Sequence, residues 1–384
     1  GALGALLHFG TGTTYNKAGT IAYGTGVTTD VSSRLDTATI PSLTIDTGAN
    51  TVTFATALYG QFEFTKKGSG ELILDGLDTF ASGNLTLAAG TLTMAKQASL
   101  NGVLNGLGSG SPSSLTFTGD ATLKYATGVT TDMSPSLVAA AGKTATIDTN
   151  GNNVIFTHSL AGAGTLTKVG TGKLSLDSAN TLTGTVNVNA GTLALTAFGS
   201  LDTPATIAVG AAGTFDAKAP AGFTLASGQT LTGSGAVNVD TANTLATATG
   251  STLNATGLTV DGKLTLAGTY AAILGAPGTV LAPNAAAQTT VGGNVTLGGT
   301  LRLTSNSAGA GAYQIINGAG TTTGNFSAFD LVGIDNALLH QVVVKSAGVT
   351  GVNLVRVATT TGTLPATVDF GNVRPGASTL STIR

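Results

Sequence analysis

The apolar residues of this chain come in short pairs spaced i, i+2. Within residues 166–195 the pairs are Leu174/Leu176, Val186/Val188 and Leu193/Leu195, separated by Gly, Asn, Ser and Asp. A period of two puts alternate side chains on one face, so the pattern predicts short strands, each with one buried face and each ended by a turn residue. The pairs also recur, because Leu174 and Leu176 stand 19 residues before Leu193 and Leu195. A recurrence of about 20 residues carrying two or three short strands is one coil of a parallel β-solenoid. The six named side chains are therefore expected to point inward and to stack on equivalent residues of adjoining coils.

A longer repeat overlies this beat. "YGTGVTTDVSSRL" from Tyr23 returns as "YATGVTTDMSPSL" from Tyr125, an offset of 102 residues. At the same offset "TIDTGANTVTF" from Thr44 returns as "TIDTNGNNVIF" from Thr146, and "FTKKGSGELILD" from Phe64 as "LTKVGTGKLSLD" from Leu166. After a single-residue gap, "GNLTLAAGTLTM" from Gly83 matches "GTVNVNAGTLAL" from Gly184. Two modules, 23–94 and 125–195, thus follow head to tail, and solenoid neighbours share apolar interfaces, so no flexible hinge is expected between them. The best linker candidate is "NGLGSGSPSS" near 100–115. Beyond residue 200 the rhythm persists in "AVNVD", "GLTVDGKLTLAG" and "GNVTLGGTLRLTS", which predicts degenerate coils over 200–357. The expected plan is all-β: a continuous right-handed parallel β-helix over 1–360, forming an elongated rod, then a linker and incomplete β tail over 361–384. Ordering one coil costs more conformational entropy than its few buried Val and Leu side chains return, so coils must come in stacks.

Composition narrows the class. The 384 residues include Gly 56, and only 9% are charged, which does not suit an ordinary helical or α/β enzyme. A disordered linker is excluded by 42% hydrophobic residues placed in register. A net charge of −2 gives no electrostatic footprint for nucleic acid or an anionic membrane surface. Cys 0 removes disulfides, thiolate metal sites and cysteine nucleophiles together. The mean hydropathy of +0.33 comes from Ala and alternating aliphatics, with no apolar run near the length, about 20 residues, of a membrane-spanning helix. "GALGALLHFG" lacks the basic region and length of a signal peptide, so a processed chain or a fragment is expected.

Candidate chemistry is sparse. "GKT" at Gly142 to Thr144 lacks the earlier glycine of a phosphate-binding loop, since position 137 is Leu. His8, His158 and His340 lie far apart without metal-ligand spacing. Asp46 and Asp148 occupy equivalent places in the two modules, as do Asp75 and Asp177, and a turn-capping role suits such equivalence. A polysaccharide-active β-helix enzyme would need carboxylates gathered in one groove, whereas the only glutamates are Glu63 and Glu71, and Trp is absent. No catalytic, cofactor-binding or metal residues are predicted, and no enzyme activity or cofactor is expected.

The stretch "GAGTLTKVGTGKLSLDSANTLTGTVNVNAGTLAL" resembles the passenger-associated β-strand repeat of bacterial autotransporters, whose pattern runs G-x-G-x-L-T-K-x-G-x-G-x-L-x-L, then N-T-x-x-G and V-x-x-G-x-L. The matching positions are Gly162, Gly164, Leu166, Thr167, Lys168, Gly170, Gly172, Leu174, Leu176, Asn180, Thr181, Gly184, Val188, Gly191 and Leu193. The first copy departs at Phe64 and Asp78, and "AYQIINGAGTTTGNFSAF" resembles the segment where such helices close. The resemblance implies an exported right-handed β-helix and no single activity. Asp369, Phe370, Gly371, Val373 and Gly376 resemble the opening of an immunoglobulin-like surface module. The expected function is an exported structural protein of a bacterial surface or the extracellular space: a fibre, stalk or adhesin scaffold that partners itself in a filament, through end strands added to a neighbour's edge. The alternative is a recognition surface for glycan, host protein or ice along a Thr-rich face.

Overall fold

The computed structural model describes residues 18–35, 40–60, 62–76, 79–80, 84–96, 114–134, 136–274, 289–305, 311–332, 339–346, 349–356 and 380–382. The chain is all-β and forms a solenoid of stacked parallel sheets, as predicted. Among the described residues the one helical segment is the 3-10 turn Ser32–Arg34. Two compact units divide it, Gly1–Ala205 and Thr206–Arg384.

In the first unit each coil visits three sides in turn. The first side is an eight-stranded sheet: Gly19–Ala22, Ser42–Asp46, Glu63–Lys67, Leu85–Leu87, Leu115–Phe117, Leu137–Ala139, Ala161–Gly162 and Thr181–Leu182. The second is a ladder of Thr51–Phe54, Glu71–Leu74, Gly90–Met94, Ala121–Tyr125, Thr144–Asp148, Thr165–Val169 and the front of Thr185–Leu195. The third pairs Tyr59–Gly60 with Thr79–Phe80 and, further on, Asn153–Phe156 with Lys173–Leu176 and the back of Thr185–Leu195. That last strand bends across a corner and so belongs to two sides.

The alternation read from the sequence is the inside-outside alternation of these strands. Leu174, Leu176, Val186, Val188, Leu193 and Leu195 are all buried. Leu174 stacks on Leu193 and Leu176 on Leu195, while Val186 stacks on Leu166. The predicted spacing of about 20 residues per coil holds where the repeat is faithful, from Thr51 to Glu71 to Thr91 and from Thr167 to Asn187. Between register partners Thr91 and Thr122 the coil lengthens to 31 residues, and from Thr122 to Thr146 it takes 24.

The 24-residue coil has its counterpart from Thr20 to Thr44 in the first module, so it is the 31-residue coil between the modules that changes how they stack. By sequence, Gly19–Ala22, Ser42–Asp46 and Glu63–Lys67 correspond to Ala121–Lys124, Thr144–Asp148 and Thr165–Val169. The first set lies on the first side, whereas the second set lies on the second side. One module therefore advances four coils plus one side, and its successor is turned by one side. The joint is itself sheet: Ala121–Tyr125 pairs along its whole length with Gly90–Met94, and Leu115–Phe117 with Leu85–Leu87. The linker candidate at 100–115 lies almost wholly outside the described residues.

The second unit repeats the three-sided plan. Phe223–Leu225, Thr244–Thr247, Lys263–Leu266, Val295–Leu297 and Thr322–Gly324 form one side. Thr206–Asp216 again bends across a corner, its front leading through Thr230–Gly233, Thr252–Ala255, Thr269–Leu274 and Thr300–Ser305 to Ala328–Val332. Its back leads through Ala236–Asn238, Thr259–Val260 and Thr289–Val291 to Gly311–Gly318. There the pairing changes sense. Leu339–Ser346 and Val349–Arg356, expected as further coils, form an antiparallel hairpin, and Val349–Arg356 lies antiparallel on Gly311–Gly318. In the tail, 369–379 lie outside the described residues, and Leu380–Thr382 pairs with His340 to Val342 of its own chain.

Candidate functional site

Two lysines, Lys66 and Lys168, are buried in the core. Lys66 lies on Glu63–Lys67 in an inward row running Ile21, Ile45, Lys66, Leu87, Phe117. Lys168 lies on Thr165–Val169 in the row Leu123, Ile147, Lys168, Val188. Both are 0% exposed. A buried ammonium is tolerated only when its protons are taken up, and here the adjacent corner does this. Lys66 Nζ donates to the carbonyls of Lys67 and Gly68 at 2.8 Å, Gly70 at 3.0 Å and Ala89 at 3.1 Å. Lys168 Nζ donates to those of Val169 and Gly170 at 2.8 Å and Ala190 at 3.2 Å.

The glycines of the repeat are the walls of this cage. Gly68 and Gly170 take positive φ, which turns the strand sharply at K-x-G-x-G. In the next coil a Cβ on Gly90 would lie 2.3 Å from Gly68 O and 2.4 Å from Gly70 O, and one on Gly191 2.4 Å from both Gly170 O and Gly172 O. The Lys carbonyl cage thus ties each repeat's corner to the corner stacked upon it. Burial pushes both amines down from the usual 10.5 to about 8, opposed by the carboxylates of Asp46 and Asp148. Both remain mainly cationic at neutral pH.

A second bracket sits one coil earlier. Asn50 Nδ2 donates to Gly24 O and Thr47 O while its Oδ1 accepts from Gly26 N, and Asn152 repeats this with Ala126 O, Thr149 O and Gly128 N. Asp46 and Asp148 cap their own turns as expected, accepting from Gly48 N and Asn150 N at 2.9 Å. Asp75 and Asp177 act differently: each reaches into the next coil, to Lys96 at 3.4 Å and to the Thr196 hydroxyl. Glu71 reaches two coils on, to Lys124 at 3.5 Å.

The remaining candidates stay apart. "GKT" is a corner in which Gly142 has positive φ and Thr144 N donates to Asp120 Oδ1. His158 is exposed, 3.8 Å from Asp132, and its backbone N–H donates to Ser134 Oγ. His340 lies on Leu339–Ser346, and His8 falls outside the described residues. Among the described residues no three His, Asp or Glu side chains cluster as metal ligands, and no helix is long and apolar enough to cross a membrane.

What the sequence reading missed was in view: Lys66 and Lys168 stand two residues after Phe64 and Leu166, in phase with the buried face, at the same place in both modules. The passenger-associated-transport-repeat family matches the chain at residues 64–94 and 166–195, the two stretches that carry the lysines and their glycine walls. Comparison with curated proteins and with solved structures finds no match.

Proposed function

We propose that this chain is an exported, non-catalytic structural segment of a bacterial protein, a passenger-type β-solenoid that serves as a scaffold at the cell surface or outside the cell. The observation that carries this reading is the match of the passenger-associated transport repeat at two places within one stacked core. The chemistry-bearing side chains fit the same reading, because Lys66, Lys168, Asn50, Asn152, Asp46 and Asp148 are all engaged with backbone at the corners. A scaffold of this kind takes no cofactor. Leu380–Thr382 pairs within its own chain, so a filament of such scaffolds would not be joined through that strand. Labelling intact cells of the source bacterium with an antibody to the first unit tests the proposal. Surface or medium label is expected, and protein confined to the cytoplasm would contradict it.

A recognition role has one observation in its favour. Thr20, Thr44, Thr65, Thr86 and Thr116 are register partners on consecutive strands of the first side, their neighbours Leu43, Phe64, Leu85 and Leu115 being buried. This outward row repeats a hydroxyl about every 4.8 Å, a lattice suited to glycan or ice. Replacing Thr44, Thr65 and Thr86 by Val would abolish glycan or ice binding on this reading and leave a pure scaffold unaffected.

A further inference from the structure

The lysine corner has a property that its role in holding coils together does not require. Four carbonyl oxygens meet Lys66 Nζ at 2.8 to 3.1 Å, and all of them belong to backbone. The glycine turns and the pairing on both sides hold them: Thr47 N donates to Lys67 O, Thr91 N to Gly70 O, and Gly70 N to Gly48 O. Converging carbonyls held by a rigid backbone are the means by which proteins replace the hydration shell of a monovalent cation. The second module builds the same arrangement, with three carbonyls at 2.8 to 3.2 Å, on a different side of the solenoid.

We propose that the K-x-G-x-G corner is a monovalent-cation site in its own right, a backbone carbonyl cage sized for ammonium or potassium, which this chain occupies with its own tethered ammonium. The lysine supplies a charge at a fixed position, and the four-carbon stem serves only to reach it through the apolar row. Truncating the side chain to Ala removes cation and stem together and opens the cage to a free ion. Truncation to Met keeps the stem and fills the space without supplying a charge.

The test uses the full chain with Lys66→Ala, Lys168→Ala and Lys66→Met, followed by thermal unfolding in ammonium, potassium, lithium and tetramethylammonium chlorides at matched ionic strength. Each Ala variant should melt below the parent, and regain about 2–4 °C in ammonium or potassium relative to the other two salts. Lys66→Met should melt below the parent, and neither should change its melting temperature with the choice among the four salts. Equal melting of both Ala variants in every salt would mean that water fills the gap, and would overturn the proposal. So would Ala variants that stay unfolded even in ammonium and potassium, because a cage that cannot form around a free cation is not a cation site.

Discussion

At the scale of single residues, two lysines of one repeat face opposite surroundings. Lys66 is caged and Lys67, its neighbour, is exposed. Removing the ammonium leaves buried carbonyl acceptors short of a donor, so Lys66→Met should cost about 1–3 kcal/mol. Lys67→Met should stay within about 0.5 kcal/mol. Urea unfolding of the two variants measures the contrast, and equal losses would place Lys66 at the surface. The pH dependence follows from the same burial. The caged amines titrate near 8 in the folded chain and at the usual 10.5 when unfolded, so between those values the unfolded chain holds more protons and stability rises with pH. Burial, with help from Asp30, raises Tyr23 from 10.0 to about 12, and burial raises Tyr125 and Tyr270 as well. Above the usual tyrosine value the unfolded chain therefore loses protons first, and stability falls. The urea midpoint should peak at about pH 9–10; a midpoint that only falls from pH 8 upward would contradict the cage.

At the scale of elements, the corners discriminate between glycines. A Cβ on Gly70 would lie 2.0 Å from Asn50 O, and one on Gly172 2.0 Å from Asn152 O. Stacked backbone cannot yield there, so Gly70→Ala should cost about 3 kcal/mol. At Gly26 a Cβ meets nothing within 4 Å, and only the positive φ of 76° opposes it, so Gly26→Ala should cost about 1 kcal/mol. Melting temperatures of the two variants settle the order. The strands themselves were legible because each has one buried face, and Leu174/Leu176 or Val186/Val188 announce it with a period of two. The cages were not, because a lysine in phase with Leu166 reads as surface until the carbonyls opposite it are known. The antiparallel hairpin of Leu339–Ser346 and Val349–Arg356 was equally hidden. "VVV" and "VNLV" read as strand whether the partner runs parallel or antiparallel, and only the pairing with Gly311–Gly318 distinguishes the two.

At the scale of the molecule, the two modules are similar sequences set in two phases. The offset of Tyr23 to Tyr125 was plain, but the side on which the second copy would fall was not. It depends on how many residues each coil spends between register partners: the 24 from Thr122 to Thr146 repeat the 24 from Thr20 to Thr44, whereas the step between the modules, Thr91 to Thr122, takes 31. The consequence for a scaffold is that equivalent loops, Gly24 to Asp30 and Ala126 to Asp132, follow strands on different sides, so one sequence motif is displayed in two directions. In the second unit the parallel ladder that reaches Gly311–Gly318 meets an antiparallel hairpin, which occupies a strand edge that would otherwise be open to another chain.

The phase of the second module can be read by cross-linking, since the chain has Cys 0 and neighbouring parallel strands stand about 4.8 Å apart, within the roughly 4.4–6.8 Å that a disulfide spans. Thr122 is the register partner of Thr91 on the second side, whereas a module stacked without the turn would set it beside Thr86 on the first. With Thr91→Cys and Thr122→Cys together, mild oxidation should close an intramolecular disulfide. With Thr86→Cys and Thr122→Cys it should not. A disulfide in the second pair and none in the first would contradict the one-side turn and the coil assignment on which it rests.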